Sequence, residues 1–165
     1  MKIIAPKLET ERLILCDMEE KDTADVVKWR SVPEVYCFFL AQHPLSEKEH
    51  LEWYRNSYIY NINRYDWIAR KKEDSQSIGI FGIKRKSEQS VVAEISYILA
   101  PEHQKKGYAA EAVLRTMQFA KEFWKCNKAV AEIHRKNMAS GEFVKKLGFV
   151  YVSCNGDFCV YEGNL

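Results

Sequence analysis

The stretch richest in chemical meaning is Tyr97-Ile98-Leu99-Ala100-Pro101-Glu102-His103-Gln104-Lys105-Lys106-Gly107-Tyr108-Ala109. An apolar, strand-like run ends, Pro101 breaks it, and a helical pattern opens at Gly107 between small residues. The start of a helix exposes several unpaired N–H groups and about half a positive charge, which together make an anion site. Gly107 lets the backbone approach a phosphate closely. Ala109 keeps the next turn slim, and Lys105 and Lys106 add charge at the same edge. The chemistry suggested is a pyrophosphate cradled by backbone amides. The plain alternative is a strand–turn–helix in which Gly107 only eases the bend and His103 is a solvated loop side chain. Two other phosphate motifs are excluded, because the chain has neither G-x-x-x-x-G-K-S/T nor G-x-G-x-x-G.

A second cluster follows: Asn137-Met138-Ala139-Ser140, continuing through Gly141-Glu142-Phe143-Val144-Lys145-Lys146-Leu147-Gly148-Phe149. Two carboxylates lie on strand-like runs near these clusters, Glu94 in Ala93-Glu94-Ile95-Ser96-Tyr97 and Glu132 five residues before Asn137. Each could take a proton from an amine; each could equally be a surface glutamate on a half-exposed strand.

The elements that must hold these residues follow from periodicity. Residues 12–16 read as a first strand. Asp22 or Thr23 could cap a helix to about Arg30, with Val26, Val27 and Trp29 inward, and Pro33 ends it. Ser46-Glu47-Lys48-Glu49 is a capping box, and Leu51, Tyr54 and Tyr58 share one helical face. Strands are expected near 65–70, 77–85 and 91–99, the last two joined by the polar residues 86–90. A helix over about 107–124 places Ala109, Val113, Met117, Ala120 and Trp124 on one stripe. A strand near 128–134, a helix over about 138–147 stopped by Gly148, and a final hairpin complete the chain. The order β-α-α-β-β-β-α-β-α-β-β predicts a mixed α/β domain around one sheet, spanning residues 1–165.

Composition narrows the function classes. The 165 residues are 47% hydrophobic and 29% charged, ordinary globular values. No apolar run approaches the roughly 18 residues of a membrane span, and the first six residues show no leader core before Glu9 and Glu11. A net charge of +2 argues against nucleic acid as a partner. Residues 101–150 carry ten bases and five acids, a distribution suited to a small anionic ligand or to a solvated helix face. The five cysteines show no zinc spacing. Cys154 and Cys159 flank Asn155-Gly156; a two-residue turn there sets 154 opposite 157 and leaves the thiols diagonal, about 7 Å apart and too far for an easy bridge. Reduced thiols in a cytoplasm are therefore expected.

The ordered set Gln104-x-x-Gly107-x-Ala109, then Asn137-x-x-Ser140 on a helix ending Lys146-Leu147-Gly148-Phe149, resembles the GNAT superfamily of acetyl-CoA-dependent N-acetyltransferases. Thr10-Glu11-Arg12-Leu13-Ile14-Leu15 looks like the opening of its RimJ/RimL-type branch. The resemblance implies a mostly antiparallel twisted sheet of about seven strands with about four helices. It implies that backbone groups of Tyr97, Ile98 and Leu99 meet the pantetheine arm. Gln104 opens the motif in which Lys105, Lys106, Gly107, Tyr108, Ala109 and Ala110 hold the pyrophosphate. Asn137 and Ser140 lie near the sulfur. Many relatives place a tyrosine, as thiolate acid, where this chain has Val144, and alanine where it has Ser140, so the general acid is left open. Glu94 through a water, or Glu132, is the implied base, and an N–H near Leu99 the oxyanion donor. Ser140 is better suited to stabilising the thiolate than to full proton transfer. The expected reaction moves acetyl from acetyl-CoA, without a metal, to a primary amine: a protein N-terminus, a polyamine or an antibiotic amine. The alternative is an acyl-CoA sensor without turnover. His134 ends a strand near this site and is read as structural; a homodimer is common in such folds.

Overall fold

The computed structural model describes residues 4–165; residues 1–3, part of the stretch read above as lacking a leader core, lie outside them. The strands are β1 (Leu8–Glu9), β2 (Leu13–Asp17), β3 (Arg64–Lys71), β4 (Ser77–Lys84), β5 (Val92–Leu99), β6 (Lys128–His134), β7 (Val150–Asn155) and β8 (Phe158–Asn164). The helices are α1 (Thr23–Arg30), α2 (Pro33–Tyr36), α3 (Glu47–Asn56), α4 (Tyr108–Glu122) and α5 (Met138–Lys146). One sheet runs in the order β1-β2-β3-β4-β5-β6-β8-β7. Its pairs are antiparallel except β5–β6, which the crossover through α4 makes parallel. The sheet has one strand more than expected because β1 is only two residues long. The extra helix, α2, starts at Pro33. Proline that ends one helix is also pre-set to begin another at its first position.

Strand alternation splits the core into two layers. On β3, Trp67 goes to the face covered by α4 and α5, with Phe81, Val113 and Phe119. Its neighbour Ile68 goes to the face covered by α1 and α3, with Met18, Val26, Trp29, Tyr54 and Tyr58. Val113, Met117 and Ala120 are buried along the expected stripe of α4, and Trp124, expected on that helix, is buried just past its end at Glu122. The Ser46–Glu49 capping box forms as read, and Gly148, at φ +93°, lies just past α5. No helix among the described residues is long and apolar enough to cross a membrane.

The final hairpin overturns the cysteine reading. Its paired ends are Asn155↔Phe158, so Gly156-Asp157 forms the turn, one residue later than expected. That slip sets Cys154 directly opposite Cys159, and the two are joined by a disulfide, while Cys16, Cys37 and Cys126 are free.

Candidate active site

The sheet forks at its centre. β5 and β6 pair only through Val92↔Lys128, Ala93↔Ala129 and Glu94↔Val130, whereas β6 stays paired with β8 along its whole length. Beyond Glu94 the β6–β8–β7 group peels away and leaves one edge of β5 open. Ala100 N–H donates to the Ile78 carbonyl at 2.8 Å, which sets the phase of the antiparallel β4–β5 ladder. By alternation the backbone groups of Ile98 face β4, and those of Tyr97 and Leu99 face the fork. The expectation for Ile98 is thereby corrected: it offers a side chain to the α1–α3 face, not an amide to the fork. Gln104 Nε2 donates to the Leu99 carbonyl at 3.1 Å, tying the β5–α4 loop to the strand end and leaving the Leu99 N–H aimed into the gap.

The loop between β5 and α4 carries two left-handed residues, Lys105 at φ +60° and Gly107 at φ +84°. Such backbone turns successive N–H groups to one side, a concavity that takes anions, and Gly107 is the N-cap of α4. Lys105 is exposed; Lys106 Nζ turns back to the Glu102 carbonyl at 3.0 Å. Ala109 and Ala110 form the half-buried first turn of α4. His103 departs from expectation: it is buried, edge-on to Tyr108, with Nε2 unpartnered, and burial holds its imidazole below the ordinary range.

Sequence reasoning missed the brace under this loop. Arg12 donates from Nη1 to the Lys106 carbonyl at 2.9 Å and from Nε to Glu111 at 2.8 Å, and its guanidinium lies 4.3 Å from the Tyr108 ring centre. Glu111 also accepts from Arg12 N–H at 2.7 Å and from the Thr10 hydroxyl, and these bonds hold its carboxyl below the usual range despite partial burial. Arg12 Nη2 stands over Gly107, where an added Cβ would come within 3.1 Å of it. The only sequence signal was the Thr10-Glu11-Arg12-Leu13 opening, quoted for resemblance and not for a role.

Across the fork, Asn137 caps α5: its Oδ1 accepts from Ser140 N–H at 3.2 Å. The Ser140 hydroxyl does not bond its own helix but meets the Tyr97 hydroxyl at 2.6 Å. Burial raises the Tyr97 phenol to about 12, so it stays protonated at neutral pH. Val144 is fully buried in the core and carries no group that could act as an acid.

Both candidate bases lie on the α1–α3 face of the sheet, since Glu94 pairs with Val130 and Glu132 is two residues further along the same face. Glu94 forms an ion pair with Lys84 at 3.1 Å and lines a small cleft with Ser96. Glu132 is exposed and has no partner among the described residues. His134 is buried between Phe38 and Phe158, with Nδ1 accepting from Lys136 N–H at 3.2 Å, a packing role as read.

On that same face a cavity of about 300 Å³ opens under α1, α3 and residues 37–45. Ser96, Tyr97 and Ile98 of β5 form one wall, and Arg30, His50 and Trp53 stand among the residues opposite. Of the aromatics Trp53, Tyr54, Tyr58, Tyr60 and Tyr65, Trp53 alone lines it; Tyr54 and Tyr58 are core, and Tyr60 is exposed.

A profile of the acetyltransferase (GNAT) domain matches residues 12–150, which include the brace, the loop and α5. The chain belongs to the GNAT acetyltransferase family. The acetyltransferase is 30% identical over 162 residues to the uncharacterised N-acetyltransferase p20 of Bacillus licheniformis, covering 96% of this chain and 90% of that protein. It is 29% identical over 164 residues to the uncharacterised protein YkkB of Bacillus subtilis, covering 94% of each. Among solved structures, a domain from Methanocaldococcus jannaschii superposes with a TM-score of 0.82 at 25% identity, over 95% of this chain and 100% of that one. Spermidine N-acetyltransferase from Vibrio cholerae, solved with CoA and spermine, superposes at 0.81 with 20% identity, over 92% of this acetyltransferase and 95% of that chain. At that identity the likeness is one of fold.

Proposed function

We propose that this acetyltransferase moves the acetyl group of acetyl-CoA to a primary amine within a ternary complex. The observation that carries the reading is the fork: it has a loop of left-handed backbone suited to an anion at the end of β5 and an acceptor-sized cavity against the same strand. The left-handed Lys105–Gly107 backbone, the α4 N-terminus and Arg12 Nη2 suit a pyrophosphate. The free edge at Tyr97 and Leu99 suits the amide groups of a pantetheine arm. The fold relative from Vibrio cholerae, solved with CoA and spermine, supports a coenzyme and an amine in such a frame.

The chain's own groups then divide the work. Glu94, acting through a water, takes a proton from the acceptor's ammonium so that the free amine attacks; Glu132 is the alternative base on the same face. The Leu99 N–H faces the developing oxyanion, a role in which loss of one donor typically costs about 3 kcal/mol of barrier. Ser140, polarised by the protonated Tyr97 hydroxyl, donates a hydrogen bond to the departing sulfur. Asn137 holds the turn that presents Ser140. The Thr10-Glu11-Arg12-Leu13 opening supports a place in the RimJ/RimL-type branch.

The test is calorimetry with acetyl-CoA followed by thiol release over a panel of amines. Amine-dependent release supports transfer. Tight binding with no release for any amine supports a sensor, and absence of binding removes the coenzyme site. Glu94→Gln and Glu132→Gln, each assayed against pH, assign the base: the true one loses most rate at low pH, where the amine needs most help to lose its proton.

A further inference from the structure

We propose that the cavity beside β5 is a subsite for a carboxylate carried by the amine acceptor, with the Arg30 guanidinium as its counter-ion. The acceptor is thus a small amine bearing a carboxylate. This rests on the transfer function above and adds the class of acceptor.

Two guanidiniums share the cavity, Arg30 and Arg64, each stacked on an aromatic ring: Arg30 lies 4.5 Å from the centre of Phe39, Arg64 5.0 Å from that of Trp53. A single buried carboxylate, Asp66, stands with them, and it is spoken for. Arg64 donates to it from Nε at 2.6 Å and from Nη2 at 3.3 Å. The pair is fixed from below, because a side chain at Gly82 would collide with the Asp66 carboxylate. Glu49 sits at the exposed rim, where its carboxylate accepts from the Ser46 N–H at 2.8 Å and the Ser46 hydroxyl at 2.6 Å. Arg30 is left with no ion pair among the described residues, and its Nε is buried without a hydrogen-bond partner. His50 Nε2, lining the same cavity, is also buried and unpartnered.

Buried polar groups in native proteins are nearly always satisfied, and a cation left alone in a desolvated site is costly. An unpaired guanidinium and an unpartnered imidazole on residues that line one cavity point to a ligand that supplies acceptor oxygens. A guanidinium fork matches a carboxylate in plane and spacing. Phe39, Trp53 and Ile98 give the rest of the cavity apolar walls, and its volume lies at the small end of ligand pockets. A carboxylate on Arg30 leaves an amine free to point along Ser96 and Tyr97 toward the fork. A polyamine would need free carboxylates here, and Asp66 is not free.

The test uses the full chain with acetyl-CoA and three acceptor sets: the amino acids, their amides, and spermidine. Wild type is expected to favour acids over the matching amides by about tenfold or more in kcat/KM, compared at equal free amine. Arg30→Met should abolish that preference by raising KM with kcat little changed, as loss of uniform binding does. Arg30→Lys should restore part of it, and all three proteins should bind acetyl-CoA alike, which reports that they are folded. Quenching of tryptophan emission by N-acetylated amino acids, but not by their amides, reads the subsite without turnover. Preference for amides or spermidine, an Arg30→Met profile equal to wild type, or no carboxylate binding at millimolar concentration would each overturn the subsite. Failure to bind acetyl-CoA would instead overturn the transfer function itself.

Discussion

Gly107 reads from the sequence as the point where the backbone bends into a helix, and in the structure it is the left-handed N-cap of α4. Its φ of +84° costs an L-residue about 1–2 kcal/mol, and a methyl group there would press on Arg12 Nη2. Gly107→Ala should therefore lower acetyl-CoA affinity by about tenfold in calorimetry and Tm by a few degrees. Ser140 was visible only in part: its position on the helix could be read, but its partner Tyr97 lies 43 residues earlier and was expected to act through its backbone. Nothing in a one-dimensional pattern reports which side chains meet across a fork. Tyr97→Phe and Ser140→Ala should each lower kcat by about ten- to a hundredfold with KM for acetyl-CoA little changed. Because the two hydroxyls act as one unit, the double variant should be no slower than the worse single one, a non-additivity that steady-state kinetics measures directly.

At the scale of elements, hydrophobic period and capping chemistry located β2 to β6, α1 and α3 to α5 to within a few residues. The short pieces escaped. β1 and α2 have too few residues to show a period, and the hairpin register turned on which two of Asn155, Gly156 and Asp157 form the turn. Side-chain period in a strand is two, so that one-residue slip reverses which thiols face each other. The brace from Arg12, just before β2, to Glu111 of α4 was equally hidden, since its ends are 99 residues apart. It makes the β5–α4 loop depend on the segment that leads into β2. Arg12→Ala and Glu111→Gln should each weaken acetyl-CoA binding several-fold, and the double variant should be little worse than either, a coupling read by a calorimetric double-mutant cycle.

For the whole molecule, the sheet separates the two jobs of the proposed reaction: the α4–α5 side carries the loop proposed for the coenzyme, and the α1–α3 side the cavity proposed for the acceptor. The second side was barely legible, because Arg30, His50 and Asp66 stand on three elements with no shared motif. It also carries a cost in acid. Burial first, and the Arg30 charge second, hold His50 below the ordinary imidazole value of about 6.5, so it is neutral in the fold. As pH falls below that value the unfolded chain takes up a proton that the folded one refuses, so this part of the stability is complete above about 6.5 and lost progressively below it. Thermal melts between neutral and mildly acidic pH should show Tm falling more steeply for wild type than for His50→Gln. The lone guanidinium of Arg30 has one more consequence. Acylation neutralises the nitrogen that leaves as an amide while the carboxylate keeps its charge, so what departs is more negative than what arrived. The enzyme should therefore be throttled by its own output, with progress curves that flatten early and recover on dialysis.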